Sequence, residues 1–518
     1  MAGPETAVPK EATVVLAPER SRPSDWIAAN WAPLAVAALT LVAFLLRLTL
    51  VRDSLAGDEL FMFNIVHERS LGDALSIVRE TEKTPPLFFV IVWAAAKLGD
   101  PTIWSRVPSL LCGTALIPMA YLLGLRTVGR VPAVIAAVIL TLDPFAIFYA
   151  TENRSYAAVT LFTALSTLAL LVALESNQRR WWLAYGLAVL AVLYTHYVGV
   201  FVLIVQALWA LWTRRGRIRE LLLVHALVVV AFLPWIPSYL VQQSHSSGEA
   251  RRISDLAPPS VEYFADINAR VLIGHPFVRL RDLPGTLAAA VGIGVIVLAS
   301  LAALVRAWRR RREGLRLSSP ITLMTLLAVA TPVGIGLLSL PPDFSFMLPR
   351  NLSPSLPAAA LVVAWLIVSL RGRLAIAGVA LLLGVLLVGL PRVFDPDHRR
   401  TPYREVARFI DQRAEPGDAV VHHFYYPEGP ELRRVLSINF ERPHPTFTTP
   451  PEGGEDPAWV RAQSGAHVFV VTPLPGFFDQ AQHAGRREGP GGRFVRVDEG
   501  RWDGLVDVVA GEYALPGK

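Results

Sequence analysis

The sequence predicts an α-helical polytopic membrane protein with a small soluble α/β domain at its C-terminal end. Three observations carry that expectation. The 518-residue chain is 53% hydrophobic and only 18% charged, with a mean hydropathy of +0.43, whereas a soluble domain has roughly 25% charged residues. Its apolar residues gather in runs of about 20, the length a helix needs to cross a bilayer. From Pro391 onward the apolar runs become too short to span, and Pro, Gly and charge rise.

Residues 1–30 are polar and Pro/Ala-rich and read as a disordered tail. No short apolar core with a small-residue cleavage site precedes Trp31–Val51, which is therefore expected to be an uncleaved anchor. Further apolar segments follow near Trp104–Leu125, Val131–Tyr149, Ser155–Leu174, Trp181–Tyr194, Val198–Trp212, Leu221–Leu240, Thr286–Trp308, Ile321–Leu340, Ser353–Leu370 and Leu374–Leu390. The expected membrane domain, 31–390, thus has about eleven spans.

Pro85–Lys97 decides the topology. It is apolar but only ~20 Å long as a helix, short of a ~30 Å hydrocarbon core. If it lies at the interface, Arg126/Arg130, Arg179/Arg180, Arg214/Arg215/Arg217/Arg219, Arg306/Arg309–Arg312 and Arg371/Arg373 all share the side of the N-terminus. The loops that alternate with them are Arg-poor, so the positive-inside rule favours this arrangement. It puts the N-terminus in the cytoplasm of a multi-pass plasma-membrane protein. The loop 52–103, the stretch Val241–Gly285 and the domain 391–518 then lie outside. Within that domain Tyr403–Ala414 has helical spacing, while Ala419–His422, His467–Val471 and Leu505–Ala510 read as strands.

The net charge of +7 sits in these short loops, which argues against a nucleic-acid partner. Cys112 is the single cysteine and excludes an intrachain disulfide. His422-His423 point to opposite faces of a strand and make a poor metal pair. No His/Cys cluster has zinc spacing, and Gly489-Pro490-Gly491-Gly492 lacks the Lys-Ser/Thr of a phosphate loop.

The chemistry is expected at the outer ends of the spans. Asp58-Glu59 follows Gly57 and precedes Leu60-Phe61. This pair reads either as a helix N-cap or as a carboxylate base at the membrane surface. Glu152, Asn153 and Arg154 crowd one tight outer turn, with Tyr156 beside them, and His196 crowds another. Arg47 and Arg106 lie just inside spans, where an ionisable group is costly unless paired. With Lys83 and Arg350 they are candidates to bind phosphate oxygens, each balanced against snorkelling or an ordinary ion pair.

An Arg near the end of the first span, then Asp-Glu, then Pro85-Pro86-Leu87, then a span opening with Arg106 resembles the GT-C superfamily of polytopic glycosyltransferases. Within it, the pattern is similar to the family-39-like relatives of protein O-mannosyltransferases and aminoarabinose transferases. Leu142-Asp143-Pro144-Phe145 followed by Phe148–Tyr156, and His196-Tyr197, are similar to outer-loop features of that family. The resemblance implies a GT-C fold and transfer, with inversion, of a sugar from a polyprenyl-phosphate carrier to an acceptor lipid, glycan or protein. Asp58, with Glu59 beside it, would be the base. Arg47, Lys83, Arg106, Glu152, Arg154, Tyr156, His196 and Arg350 would bind substrate. Here Thr84 separates Lys83 from the proline that directly follows the corresponding Lys in aminoarabinose transferases. A carrier phosphate is already a good leaving group, so no cofactor is required, although a divalent cation is compatible with the reaction. The rival expectation is a transporter or flippase of a lipid-linked sugar. Charges at the outer ends, rather than near the midplane on broken helices, argue against it.

Overall fold

The computed structural model describes residues 23–176, 178–244, 257–274, isolated positions within 290–300, then 319–341, 345–423, 435–449, 467–474, 495–504 and 507–514. Most of the tail 1–30, the expected span near Thr286–Trp308, Arg306 with Arg309–Arg312 and Gly489–Gly492 lie outside the described residues.

Seven helices among the described residues are long and apolar enough to cross a membrane: Asn30–Leu48, Pro101–Thr127, Tyr156–Glu175, Arg215–Ser244, Pro320–Leu338, Pro349–Ser369 and Gly372–Val393. Three other expected spans are shorter helices, Arg130–Leu142, Arg179–Thr195 and Tyr197–Thr213. The expectation of one span over Val131–Tyr149 is corrected. The chain breaks into Arg130–Leu142 and Pro144–Tyr149 because Pro144 disfavours the helical conformation at Asp143. Asp143, at φ −66° and ψ 120°, then accepts hydrogen bonds from the Phe145 and Ala146 amides, both at 3.2 Å.

Tyr156–Glu175 is the axis of the bundle. Of its most apolar stretch 78% is buried, against 22% for the first span, which sits at the periphery. It packs between Val107–Thr127 and Arg179–Thr195. Small residues allow the close approach: a Cβ on Gly113 would stand 2.3 Å from the Cβ of Ala150. The helix Val107–Thr127 therefore runs hard against the turn that carries Glu152.

At one end of the bundle the chain between the first two spans forms three short helices, Asp58–Val66, Leu71–Thr81 and Leu87–Ala96. Ser70 caps the second by accepting from the Asp73 amide at 3.2 Å. The third has ten residues, about 15 Å, too short to cross a bilayer. These helices share a core of Met62, Ile65, Val78, Phe88 and Val92. The Arg126–Glu175 ion pair joins the far ends of two spans, away from this layer.

Among the described residues, the C-terminal region forms the helix Tyr403–Arg413 and a five-stranded sheet: β1 Ala419–His423, β2 Thr446–Thr449, β3 His467–Leu474, β4 Val495–Trp502 and β5 Asp507–Ala514. Its order is β2-β1-β3-β5-β4, with β1 parallel to β2 and β3, and β5 antiparallel to β3 and β4. Sequence reading misses β2 and β4. The first is Thr-rich and preceded by prolines, and the second carries Arg496, Asp498, Glu499 and Arg501, the charged pattern of a protected edge strand.

This region is not loosely tethered. Leu55, Leu60 and Phe63 of the first loop complete a core with Val406, Ile410, Val420, Phe469 and Val508. Around it, the Arg404 amide donates to Ser54 Oγ at 2.8 Å, its guanidinium to the Arg52 carbonyl at 2.8 Å, and Arg399 pairs with Asp53. Loop and domain therefore depend on one hydrophobic seam. Leu60→Ala should cost about 2–5 kcal/mol and make the segment after Val393 sensitive to limited proteolysis in detergent; an unchanged cleavage pattern would contradict the shared core.

Candidate active site

Gly57 stands at φ +54°, a left-handed conformation that glycine adopts without penalty. It turns the chain so that Asp58 and Glu59 open the helix Asp58–Val66, where the helix dipole favours negative charge. The N-cap is Gly57, not Asp58, and no side chain caps this helix. Both carboxylates are thus available for other partners. Adjacent helical side chains diverge by about 100°, and these two meet different surroundings.

Glu59 points inward and is 1% exposed. Its Oε1 accepts from Arg106 Nε at 2.7 Å and its Oε2 from Arg106 Nη2 at 2.6 Å, a bidentate pair. Arg400 Nε adds a bond to Oε2 at 2.9 Å, and the Asn153 amide one to Oε1 at 3.1 Å. Burial opposes its ionisation, but Arg106 and Arg400 outweigh that and hold the carboxyl below its usual range.

Arg106 was expected to bind phosphate; the geometry corrects this. It is fully buried, and its remaining donors go to the carbonyls of Val51 at 3.0 Å, Ser54 at 2.9 Å and Asp53. With the two bonds to Glu59, every N–H of the guanidinium has a protein acceptor, and none is left for a ligand. Arg106 fixes the loop 51–59 instead.

Asp58 faces the other way. Its carboxylate accepts from Arg350 Nη1 at 2.6 Å, and both side chains are about one-third exposed, 34% and 27%. Arg350 holds the Asp58 carboxyl below the usual carboxylate range, with Arg154 assisting against the opposing effect of burial. Arg350 also lies over the Tyr156 ring, 5.8 Å from its centre. Arg154 pairs with Glu82 at 3.3 Å, tying the second-loop turn to the first loop. Lys83 lies half-buried beside Glu82. That stretch is held by Gln242, whose amide donates to the carbonyls of Val78 at 2.9 Å and Thr84 at 3.2 Å.

Glu152 is 6% exposed, and its Oε2 has no hydrogen-bond partner. Burial, then the nearby Glu59 and Asp58 charges, push its pKa up to about 7, with Arg400 and Arg350 opposing. His196 caps the turn Tyr197–Gly199, its Nδ1 accepting from the Val198 amide at 3.2 Å, and lies 5.5 Å from the Tyr156 ring. Burial, with Arg154 and Arg350, lowers its pKa to about 3, so the imidazole is neutral. The structure thus brings Asp58, Glu59, Glu152, Arg154, Tyr156, His196 and Arg350 to one end of the bundle. Arg47 lies deeper, bonded to the carbonyls of Ala43 at 3.0 Å and Leu140 at 2.9 Å. Sequence reasoning missed Arg399, Arg400 and Arg404. Their signal was a run of cations after the last span, on the side expected to be Arg-poor.

Residues 83–239 match the family model described as dolichyl-phosphate-mannose-protein mannosyltransferase. The fold is similar to that of ArnT from Cupriavidus metallidurans in the apo state, with 16% identity, a TM-score of 0.52, and coverage of 93% of this chain and 98% of that one. The same protein bound to undecaprenyl phosphate gives 15% identity and a TM-score of 0.51, over 93% and 98% of the two chains. The Archaeoglobus fulgidus oligosaccharyltransferase in complex with Zn and sulfate gives 10% identity and a TM-score of 0.50, over 85% of this chain and 68% of that one. No curated protein matches the chain.

Two measurements test this geometry. Arg106→Ala leaves Glu59 buried with one partner fewer and should cost about 3–5 kcal/mol, read as a lowered thermal midpoint in detergent; an unshifted midpoint would contradict the assignment. Glu152 has a raised carboxyl pKa, so the folded state keeps a proton that the unfolded chain releases between pH 4.5 and about 7. Its contribution to stability therefore falls as pH rises through that window. Glu152→Gln should flatten the pH dependence of the midpoint between pH 5 and 8.

Proposed function

We propose that this chain, which carries the GT-C fold, is an inverting glycosyltransferase that moves a sugar from a polyprenyl-phosphate carrier to an acceptor hydroxyl. We further propose that it works at the non-cytosolic face of the membrane, as the distribution of arginines implies. The observation that carries the reading is the division between the two adjacent carboxylates. Glu59 is buried and saturated, whereas Asp58 is partly exposed and paired with one mobile-length cation, Arg350. The family match and the likeness to a protein solved with undecaprenyl phosphate support a lipid-linked donor.

In this reading Asp58 takes the proton of the acceptor hydroxyl as its oxygen attacks the anomeric carbon from the face opposite the phosphate. The bond between that carbon and the carrier oxygen breaks through an oxocarbenium-like state, and the electron pair leaves on the phosphate. Arg350 and Lys83 stabilise the charge that develops there. The phosphate ester departs without a strong general acid. Tyr156 lies under Arg350 and against His196, while the Arg154–Glu82 ion pair and Gln242 hold the stretch that carries Lys83.

Membranes containing the protein, incubated with a panel of radiolabelled polyprenyl-phosphate sugars, should yield a labelled acceptor. Asp58→Asn should lower that transfer at least 10²-fold while leaving the thermal midpoint close to that of the wild type. Turnover at the wild-type rate by this variant, or substrate counterflow in liposomes with no product formed, would overturn the proposal. Because Arg350 depresses the Asp58 pKa, its replacement raises that pKa. Arg350→Gln should therefore move the acid limb of kcat/KM to higher pH as well as weakening turnover.

A further inference from the structure

Arg400 enters the site from the C-terminal region, and the proposed reaction leaves it unassigned. It is 7% exposed. Its Nε is bonded to Glu59 Oε2 at 2.9 Å, its Nη1 to Thr151 Oγ1 at 3.4 Å, and its plane lies over the Phe148 ring, 4.8 Å from the centre. These contacts fix the guanidinium in place. Its Nη2 is nevertheless buried without a hydrogen-bond partner. On the facing turn Glu152 Oε2 is in the same condition, and so is Nη1 of Arg154. Arg400 lies close enough to Glu152 to favour its charged form. Arg400 cannot swing onto Glu152 while Glu59, Thr151 and Phe148 hold it.

Buried polar atoms in native proteins nearly always have partners, so orphans gathered at one site call for an explanation. The pattern here is selective. A phosphate would suit the two guanidinium groups, but a phosphodiester brings no donor for the unpartnered Glu152 oxygen. A hydroxyl group suits all of them, because it accepts from an N–H and donates to a carboxyl oxygen at the same time. Arg400 is bonded to Glu59, the neighbour of Asp58, and to Thr151, the neighbour of Glu152, which sets the orphans beside the proposed reaction centre.

We propose that Glu152 and Arg400 form a hydroxyl-reading pair in the sugar subsite, with Arg154 as a third donor. The pair recognises the transferred sugar rather than the carrier phosphate. This inference rests on the glycosyl-transfer reading and assigns its sugar-binding wall. It also makes the C-terminal region part of the site, since Arg400 both anchors Glu59 and presents Nη2 to the ligand.

The test uses the full-length protein in nanodiscs and measures binding of undecaprenyl phosphate, of its mannosyl, glucosyl and pentosyl forms, and of their mono-deoxy analogues. In the wild type, the preferred sugar-bearing carrier should bind about 10- to 100-fold tighter than the analogue lacking the hydroxyl that is read, the loss expected for a hydrogen bond to a charged group. Glu152→Gln, and Arg400→Lys, which keeps a cation beside Glu59, should each bring that ratio close to one. The deoxy series on the wild type needs no variant, so misfolding of either variant cannot hide the answer. Wild-type ratios near one for every sugar, or a ratio that survives in both folded variants, would overturn the inference. Asp58-dependent transfer together with ratios near one would leave the glycosyl-transfer reading standing and remove only this one. Absence of both transfer and carrier binding would remove the two together.

Discussion

The Glu59 carboxylate is the contact on which the rest depends. Four separated segments meet at it: the loop 51–59 that carries it, the start of the second span through Arg106, the second-loop turn through the Asn153 amide, and the C-terminal region through Arg400. A buried ion pair often contributes little net stability, because desolvation offsets attraction. Here the geometry is close to complete. Arg106 bridges the carboxylate to three loop carbonyls, and the Asn153 amide closes the remaining side. The consequence is specificity of arrangement. With Glu59 pinned inward, its neighbour Asp58 must turn toward the open side, where Arg350 reaches it.

That constraint explains the architecture around it. The short helix Leu87–Ala96 and its two neighbours form a layer over one end of the bundle. Ion pairs then stitch this layer to elements distant in sequence: Arg154 to Glu82, Arg350 to Asp58 and Arg399 to Asp53. Charged groups at such a boundary are expensive unless paired, and most of these are. Atoms on Glu152, Asn153, Arg154 and Arg400 are left buried without a partner, and it is there that we propose a ligand completes the network.

Much of the fold was legible because bilayer-length apolar runs are a strong signal. The spans at Ser155–Leu174 and Ser353–Leu370 correspond closely to helices Tyr156–Glu175 and Leu356–Ser369. The break at Asp143-Pro144 was missed because hydropathy does not register a backbone restriction imposed by proline. The strands β2 and β4 were missed because their residues are Thr or alternating charges, with little apolar content. In the site, carboxylates and cations were recognised as types, but their division of labour was not. Nothing local distinguishes Asp58 from Glu59, and Arg106 looked like a phosphate ligand until its acceptors were known. Arg400 is more than 340 residues from Glu59 along the chain, a separation no local pattern can bridge. Only its odd placement after the last span hinted at a role.

Amide hydrogen exchange on the Glu59→Gln variant tests the central claim most directly. Neutralising that single carboxyl should expose the loop 51–59 and the segment 399–406 to exchange together, while the helix Tyr156–Glu175 keeps its protection. Loss confined to the loop, or protection unchanged in both segments, would contradict the view that one carboxylate joins them.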